Sequence, residues 1–380
     1  MDTRQQMTGQ KPLNHGPFRA CPCCAVAPPA QLPTRLARRN FLAGGIAALG
    51  LGASAGAATL ASGSFAEARA PQRPARIDVH HHYLPPAHLA AMGDNRVNGA
   101  PPKWTVELSF ADMEKADVTK AVLSLMPPGL WFGDPVAARK LARECNDFGA
   151  QLVRDYPGRF GLFAALPLPD TEGSLHEIEY ALDVLKADGI GLFTSYAGKY
   201  LGDPAFVPVF EELNRRKAVV YTHPIIPVCC AGLIKGVSNG TIEFATDTTR
   251  TIASLIFGAG GTAFSCPDIK FIWSHSGGTL PFLIGRFIRE QVVKKDPRMP
   301  DGPVPIVQRY YYEIAQGNEP EQFAALLKLV PVSRLMFGSD FPFREAAEAV
   351  HGLDAYRFSV ADRASINREN ALRLLPQLTG

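Results

Sequence analysis

The stretch Ile77-Asp78-Val79-His80-His81-His82-Tyr83 joins a β-strand pattern to three consecutive histidines. Because alternate residues of a strand point to the same face, Asp78, His80 and His82 are expected on one face and His81 on the other. Two imidazoles on one face of a strand are placed to chelate a divalent ion. Structural, hydrogen-bonded histidines are the alternative interpretation. We therefore predict a strand that leads into a metal site, with further ligands supplied from elsewhere in the chain.

Composition and charge favour a globular protein that binds a small molecule. The 380 residues are 46% hydrophobic and 20% charged, which is enough apolar material for a substantial core. The net charge of +3 is uneven, since residues 1–70 hold seven Lys and Arg against two acids. The remaining 32 basic and 34 acidic residues nearly balance, so the body of the chain gives no support for nucleic-acid binding.

The front of the chain has the pattern of an export signal. Arg38-Arg39-Asn40-Phe41-Leu42 precedes the uncharged, Gly/Ala-rich segment 44–61 and the small-x-small site Ala68-Arg69-Ala70. This resembles a twin-arginine (Tat) signal, whereas a disordered basic leader is the alternative. We predict a disordered leader (1–35), a signal peptide (36–70) and a single domain (75–380). The mature protein would be periplasmic or otherwise exported through the Tat machinery, with no membrane attachment after cleavage.

The seven cysteines show no zinc-finger spacing and no disulfide framework. Three of them, Cys21, Cys23 and Cys24, lie in the leader and would be lost on cleavage. The other four are predicted to be free and mostly buried thiols: Cys145, Cys229, Cys230 and Cys266.

From residue 75 onward, short β-branched or aromatic runs alternate with segments of helical periodicity. Eight strands are predicted, at 76–82, 120–126, 161–168, 189–194, 218–223, 269–275, 310–314 and 335–338. Helices are predicted between them at 135–155, 175–187, 205–216, 245–257, 280–293 and 320–329. This alternation predicts an α/β fold, a (β/α)8 TIM-type barrel. An open doubly wound sheet is the alternative, but no glycine-rich phosphate loop follows the first strand.

Further polar residues fall at the ends of the later predicted strands. His223 and His275 end the fifth and sixth strands, and Asp340 follows the eighth. Each alone is explained equally well as a cap or turn residue. Because the carboxyl ends of barrel strands meet at one face, these side chains are expected to join His80 and His82. Imidazoles and a carboxylate suit Zn²⁺, and Mn²⁺ or iron would also accept them.

These motifs together resemble a known family. The fragments are Asp78-x-His80-x-His82, Thr222-His223-Pro224, Ser274-His275-Ser276-Gly277-Gly278 and Gly338-Ser339-Asp340-Phe341-Pro342. In this order they are similar to the amidohydrolase-related branch that includes aminocarboxymuconate-semialdehyde decarboxylase. Other stretches, among them 166–169, 183–189 and 200–204, resemble the 6-methylsalicylate decarboxylase-like members. The resemblance covers roughly residues 75–375 and implies a metal-dependent hydrolase-type barrel with one divalent ion, usually zinc.

The resemblance also implies roles for individual residues. The metal ligands would be His80, His82, His223 and Asp340. His275 would be the acid/base beside the metal, and Asp78 would support the ligands. Arg286 matches an arginine that the family inserts across a homodimer interface to hold the substrate carboxylate. The family's second carboxylate-binding arginine has no clear counterpart, because the segment after the first strand contains only Arg96.

Strand four favours a mononuclear site, because Phe193-Thr194-Ser195-Tyr196 offers neither an acid nor a lysine to bridge two metals. Aromatic side chains are candidates for the floor of a substrate pocket, although core packing explains each of them equally well. These substrate-binding candidates are Trp104, Trp131 and Tyr196.

The expected reaction is non-oxidative decarboxylation of a hydroxylated aromatic or unsaturated carboxylic acid. A divalent ion would stabilise the developing phenolate or enolate, and His275 or Asp340 would supply the proton. No signature of an organic cofactor accompanies the site. Hydrolysis of a lactone or amide, or hydration of a double bond, is the alternative on the same ligands. A secreted binding protein that has lost catalysis is a third hypothesis, which the presence of Asp78, His275 and Asp340 disfavours.

Overall fold

The computed structural model describes residues 75–93 and 102–379. Eight parallel strands form one sheet, in which each strand is bonded to the next one along the barrel. They are β1 (Arg76–Tyr83), β2 (Val118–Leu125), β3 (Phe160–Ala165), β4 (Gly189–Phe193), β7 (Val219–His223), β8 (Lys270–Trp273), β9 (Tyr311–Glu313) and β10 (Leu335–Met336). The short pair β5 (Ser195–Tyr196) and β6 (Lys199–Tyr200) forms a separate antiparallel hairpin after β4.

The sheet closes between its first and last strands. The Val79 amide donates to the Phe337 carbonyl at 3.0 Å, and the His82 amide donates to the Phe341 carbonyl at 2.8 Å. These bonds leave no open edge between β1 and the segment that follows β10. The TIM-type barrel is therefore confirmed, and the open doubly wound sheet is excluded.

Thirteen α-helices lie in the described part of the chain. Three match the predicted segments at both ends: α3 (Pro135–Asp155), α6 (Ala245–Phe257) and α10 (Pro320–Leu329). Three others match with shifted ends: α4 (Thr171–Glu179), α5 (Val207–Arg215) and α8 (Leu280–Lys294). Seven were not predicted: α1 (Pro86–Met92), α2 (Val106–Lys115), α7 (Thr262–Ser265), α9 (Val304–Arg309), α11 (Ala346–Ala355), α12 (Val360–Ala364) and α13 (Asn370–Leu374).

Two layers of apolar side chains hold the barrel together. Residues such as Ile77, Val122, Phe163 and Met336 come from different strands and form one buried cluster, which Leu375 joins from the C-terminal segment. A larger cluster lies between the outer faces of the strands and the surrounding helices. Because both faces of each strand are buried, the strands are apolar nearly throughout, and polar residues stand out where the strands end.

The strict alternation predicted for β1 is wrong at one point. Asp78 lies opposite Ala121 and His81 opposite Leu123, so three steps along β1 match two along β2. This β-bulge moves the side chains beyond it to the other face. Asp78 consequently faces His81, whose Nδ1 lies 3.1 Å from Asp78 Oδ2, and not the ring nitrogens of His80 and His82.

The cysteine prediction is partly wrong. Cys145 and Cys266 are free and buried, as expected. Cys229 and Cys230 instead form a disulfide between adjacent residues in the loop after β7. Their side chains are exposed or half-buried, because this loop crosses the mouth of a cavity and not the core.

Several sequence predictions fall outside the described residues. These are the leader 1–35 with its three cysteines, the signal peptide 36–70 and Arg96. Within the described ranges, no helix has both the length and the apolar character that a membrane span requires.

Candidate metal centre

Four side chains from three parts of the barrel converge at the carboxyl ends of the strands. His80 and His82 lie on β1, His223 ends β7, and Asp340 follows β10. One ligand atom from each residue lies within 4.8 Å of all the others, and all four residues are buried. The structure thus brings together the four predicted metal ligands.

The distances within this cluster suit a single ion. Asp340 Oδ1 lies 3.1 Å from Nε2 of His80, 3.2 Å from Nε2 of His82 and 3.9 Å from Nε2 of His223. Nε2 of His80 and Nε2 of His82 are 3.0 Å apart. Ligands about 2.0–2.2 Å from one metal are separated by distances in this range.

Hydrogen bonds to the other ring nitrogens direct lone pairs into the cluster. His223 Nδ1 lies 2.7 Å from the Pro224 carbonyl, so Nδ1 carries the proton and Nε2 is unprotonated. His80 Nδ1 donates in the same way to Glu313 Oε1 at 2.9 Å. Nε2 of His223 and Oδ1 of Asp340 are buried without a hydrogen-bond partner. Buried acceptors that point at one another are costly unless a cation lies between them, so the residues fit a divalent metal.

Charge in the cluster also favours a cation. Burial opposes protonation of His80, but the carboxylates of Glu313 and Asp340 outweigh burial and raise its pKa to about 10. Burial and the neighbouring imidazoles hold the pKa of His223 well below its ordinary value. Burial opposes ionisation of Asp340, yet His80 and the other imidazoles keep its pKa well below the usual range. Without a metal, the centre thus holds an ionised Asp340 beside a protonated His80 and a neutral His223, and a divalent cation would take the place of the proton on His80.

His275 stands beside this cluster with one ring nitrogen uncommitted. Its Nδ1 lies 3.0 Å from the Ala315 carbonyl, so Nδ1 carries the proton. Its Nε2 is buried without a partner, and the residue lines the main cavity. Burial lowers the pKa of His275, which keeps this nitrogen available to accept a proton.

His275 and Asp340 share an uncommon backbone conformation. Their φ angles are +53° and +68°, in the left-handed region that residues other than glycine rarely adopt. Such conformations cost on the order of 1–3 kcal/mol each and persist where the surrounding structure imposes them. Here both of them direct a side chain toward the same point.

Glu313 is the residue that the sequence analysis missed. It ends β9 and is fully buried, and its Oε1 accepts from the His275 amide at 2.6 Å as well as from His80. Its Oε2 accepts from the Ala315 amide at 2.7 Å. Because both oxygens are already committed, Glu313 is better suited to orienting His80 and His275 than to binding metal. The signal was available, since an acid ends the aromatic run that starts at Tyr310.

Replacing Glu313 with Gln tests this positioning role. The variant keeps the size of the side chain but loses the charge and one acceptor, so it cannot bind all three donors. We expect the affinity for the divalent metal to fall about 10- to 100-fold. Titration of the metal-loaded protein with a chelator measures this change, and Glu321→Gln, on the exposed face of α10, is the matched control. An unchanged metal affinity would exclude the role.

Asp78 joins the first and last strands behind the metal ligands. Its Oδ1 accepts from the amides of His80 and Ser339, each at 3.0 Å, and its Oδ2 accepts from the Ser339 hydroxyl at 2.6 Å. The Asp340 amide donates to the His80 carbonyl at 2.9 Å. Asp78 therefore fixes the backbone on both sides of the ligand cluster, although it does not face the metal.

A cavity of about 1310 Å³ opens onto this centre, and its inner end is formed by His223, His275 and Asp340. Gln316 also lines it and donates from Nε2 to Asp340 Oδ2, which leaves Oδ1 directed at the imidazoles. Of the aromatic pocket candidates, Trp131 is part of the lining.

The structure does not bring three predicted substrate contacts to this cavity. Trp104 packs against Tyr83 and Phe148, because α2 begins just after it and holds it against the outer core. Tyr196 is buried, and its hydroxyl accepts from the Phe193 amide at 2.8 Å. Arg286 is exposed on α8, away from the described cavity lining. Trp104 and Tyr196 thus have packing roles, and a contact from Arg286 would require a second subunit.

The barrel and its His/His/His/Asp cluster are those of the metal-dependent hydrolase superfamily. The family model described as amidohydrolase matches residues 77–377. The chain belongs to this amidohydrolase family, and the resemblance recognised in its motifs is confirmed.

Individual relatives agree with this assignment. The chain is 35% identical over 326 residues to 6-methylsalicylic acid decarboxylase of Penicillium expansum, covering 80% of this chain and 98% of the relative. A solved structure of an amidohydrolase II protein is 29% identical with a TM-score of 0.73, covering 79% and 99% of the two chains. A dihydroxybenzoic acid decarboxylase from Polaromonas sp., solved with manganese and an inhibitor, is 22% identical with a TM-score of 0.67, covering 80% and 98%. This last likeness shows the fold alone.

Proposed function

We propose that this protein is a metal-dependent decarboxylase that removes CO2 non-oxidatively from a hydroxylated aromatic carboxylic acid. The observation that carries the proposal is the free Nε2 of His275 beside a buried four-ligand cluster at the inner end of a cavity. The 35% identity to a 6-methylsalicylic acid decarboxylase, over nearly the whole length of that protein, supports the reaction class.

The ligand set His80, His82, His223 and Asp340 would hold one divalent ion per chain. When bound, this ion supplies positive charge that fixes the carboxylate and an adjacent oxygen and stabilises the developing phenolate. The donor set accepts zinc and manganese. The Polaromonas relative was solved with manganese, which supports including that metal beside zinc.

Proton transfer falls to His275. Breaking the bond to the carboxyl carbon leaves an electron pair on the ring carbon, and that carbon must receive one proton as CO2 departs. Nε2 of His275 is unprotonated at rest, so it would take a proton from the substrate or solvent and return it to carbon. Asp340 is held ionised, which suits a ligand and not a proton donor.

Metal content and product analysis test this function. We expect about one zinc or manganese per chain, and CO2 release from 2-hydroxybenzoic acids by the metal-loaded protein. Ring opening of a lactone or cleavage of an amide without CO2 would instead identify the hydrolase alternative. Absence of bound metal after loading would contradict both activities.

A homodimer through α8 is part of the proposal. The helix presents exposed apolar side chains, Phe282, Val292 and Val293, on the same surface element as Arg286. Such side chains are unusual on a monomer and suit an interface that brings Arg286 to the partner's cavity. Sedimentation of the wild type and of Phe282→Asp checks this, since only the variant is expected to be monomeric.

Export and domain organisation are proposed from the sequence. Segment 36–70 would direct Tat export, leaving one catalytic domain from about residue 75 in the periplasm. N-terminal sequencing of the protein from a periplasmic fraction, with Arg38→Lys/Arg39→Lys as the export-deficient comparison, tests both statements. A cytoplasmic protein with an intact N-terminus would contradict them.

A further inference from the structure

The cavity is larger than a one-ring acid needs. Pockets for drug-sized ligands usually have volumes of about 300–1,000 Å³, and the volume here is about 1310 Å³. A hydroxybenzoate bound at the metal centre would fill only the inner end. The remaining space extends from that end to the mouth between the loops after β2, β7 and β10.

The walls of this outer space are mainly apolar. Pro127, Pro128 and Trp131 line it from the loop after β2, and Phe343 lines it from the segment after β10. The loop after β7, residues 225–241, supplies the opposite wall. Its apolar lining residues are Ile225, Ile226, Val228, Ile234 and Val237, and its polar or charged ones are Lys235, Ser238, Asn239 and Thr241.

Several of these apolar side chains are exposed in the free protein. Val228 is 90% exposed and Ile234 is 49% exposed, although both line the cavity. Exposed apolar side chains that face a common cavity indicate a surface that a ligand covers. If only water filled the mouth of the cavity, these apolar side chains would have no function there.

Charge in the lining has one sign away from the metal ligands. Lys235 and Arg344 are the permanently charged side chains of the described lining other than Asp340. Both are cations, and Arg344 forms a 3.9 Å ion pair with Glu348, which is not part of the lining. The cavity therefore matches a ligand that combines a negative charge with an apolar body.

We propose that the substrates of this enzyme are hydroxyaromatic acids that carry an extended apolar substituent on the side of the ring opposite the carboxylate. This inference rests on the proposed decarboxylase function. The carboxylate and its adjacent hydroxyl lie at the metal centre, the ring passes Trp131, and the substituent contacts the apolar side chains of loop 225–241. A small unsubstituted acid is a poor substrate, because it leaves these walls in water.

A series of 4-alkyl-2-hydroxybenzoic acids tests the substrate class on the manganese-loaded protein. With hydrogen, methyl, propyl and pentyl substituents, we expect kcat/KM to rise about two- to fourfold for each added methylene, since burial of a methylene contributes on this scale. Binding of the same acids is measured by calorimetry on the manganese-loaded His275→Asn variant, in which turnover is suppressed. The same rise with chain length is expected there.

A pair of variants on one loop locates the effect. Ile234→Asp places a charge in the cavity wall and is expected to remove the gain in kcat/KM from propyl and pentyl groups. Leu233→Asp is the matched control, because Leu233 is its neighbour, is 70% exposed and is not part of the lining. Equal effects of the two variants would overturn the proposal.

The outcomes separate this inference from the underlying function. CO2 release that is independent of chain length, or that falls with it, would overturn the substrate class and leave the decarboxylase function intact. Binding that strengthens with chain length but yields no CO2 from any acid would support the ligand class and contradict decarboxylation. If no acid of the series bound and none released CO2, both the substrate class and the decarboxylase function would be overturned.

Discussion

The Asp340→Asn variant is expected to lose metal binding and at least about 10³-fold in kcat/KM. Asp340 Oδ1 lies within 3.2 Å of Nε2 of both His80 and His82, and it is the negative charge among the four ligands. Asn keeps the volume and tolerates the left-handed backbone at this position, so the fold should persist. The loss corresponds to several kcal/mol of metal-derived stabilisation of the transition state.

Metal analysis after dialysis, together with CO2 release under saturating metal, measures this effect. Circular dichroism and a thermal melt establish that the variant is folded. Asp301→Asn, on an exposed turn, is the control for loss of an acid and should retain one metal per chain. Full metal occupancy in Asp340→Asn would show that the carboxylate of Asp340 is not required to hold the ion.

The His275→Asn variant is expected to lose about 10²- to 10⁴-fold in kcat while keeping its metal. A positioned side chain that transfers a proton typically contributes a rate factor of about this size. The Asn side chain can still donate to the Ala315 carbonyl, which His275 Nδ1 contacts at 3.0 Å, but it has no equivalent of the free Nε2. Because the four ligands are unchanged, metal content and the affinity for a substrate analogue should stay within a few-fold of the wild type.

The two variants therefore fail in different ways. Steady-state kinetics combined with metal analysis separates a missing ion from a missing proton carrier. If His275→Asn retained wild-type kcat, proton transfer would belong to another group. If it lost metal as well, His275 would belong to the ligand set, together with His80 and Glu313, whose ligand atoms lie within 4.8 Å of it.

The barrel and the ligand residues were predictable because they depend on local patterns. Strands buried on both faces are apolar throughout, so a histidine or aspartate at a strand end, such as His223 or Asp340, is conspicuous. In a barrel the carboxyl ends of all strands lie on one face, so these residues could be placed together before any distance was known. The start of α3 is also marked locally, since the Asp134 side chain accepts from the Val136 amide and Pro135 opens the helix.

The remaining features depend on register and on three-dimensional packing. The bulge in β1 is a mismatch with β2, so the sequence of β1 alone cannot show that Asp78 turns toward His81. Glu313 ends a three-residue strand, and only its neighbours in space distinguish it from an exposed strand-end acid. Trp104 and Tyr196 illustrate the same limit, since an aromatic residue near a site is compatible with a pocket wall or with the core.

The closure of the barrel has a consequence for the biosynthesis of the enzyme. Asp78 and Ser339, which join the first and last strands behind the ligands, are 261 residues apart. At about 5–20 residues per second, the ribosome adds Ser339 on the order of 10–50 s after it adds Asp78. No nascent or truncated chain that ends before residue 340 can assemble the four-ligand cluster. All four ligands can therefore hold an ion only after the chain has passed residue 340, and a premature stop before that residue would leave a protein with three imidazoles and no catalytic centre.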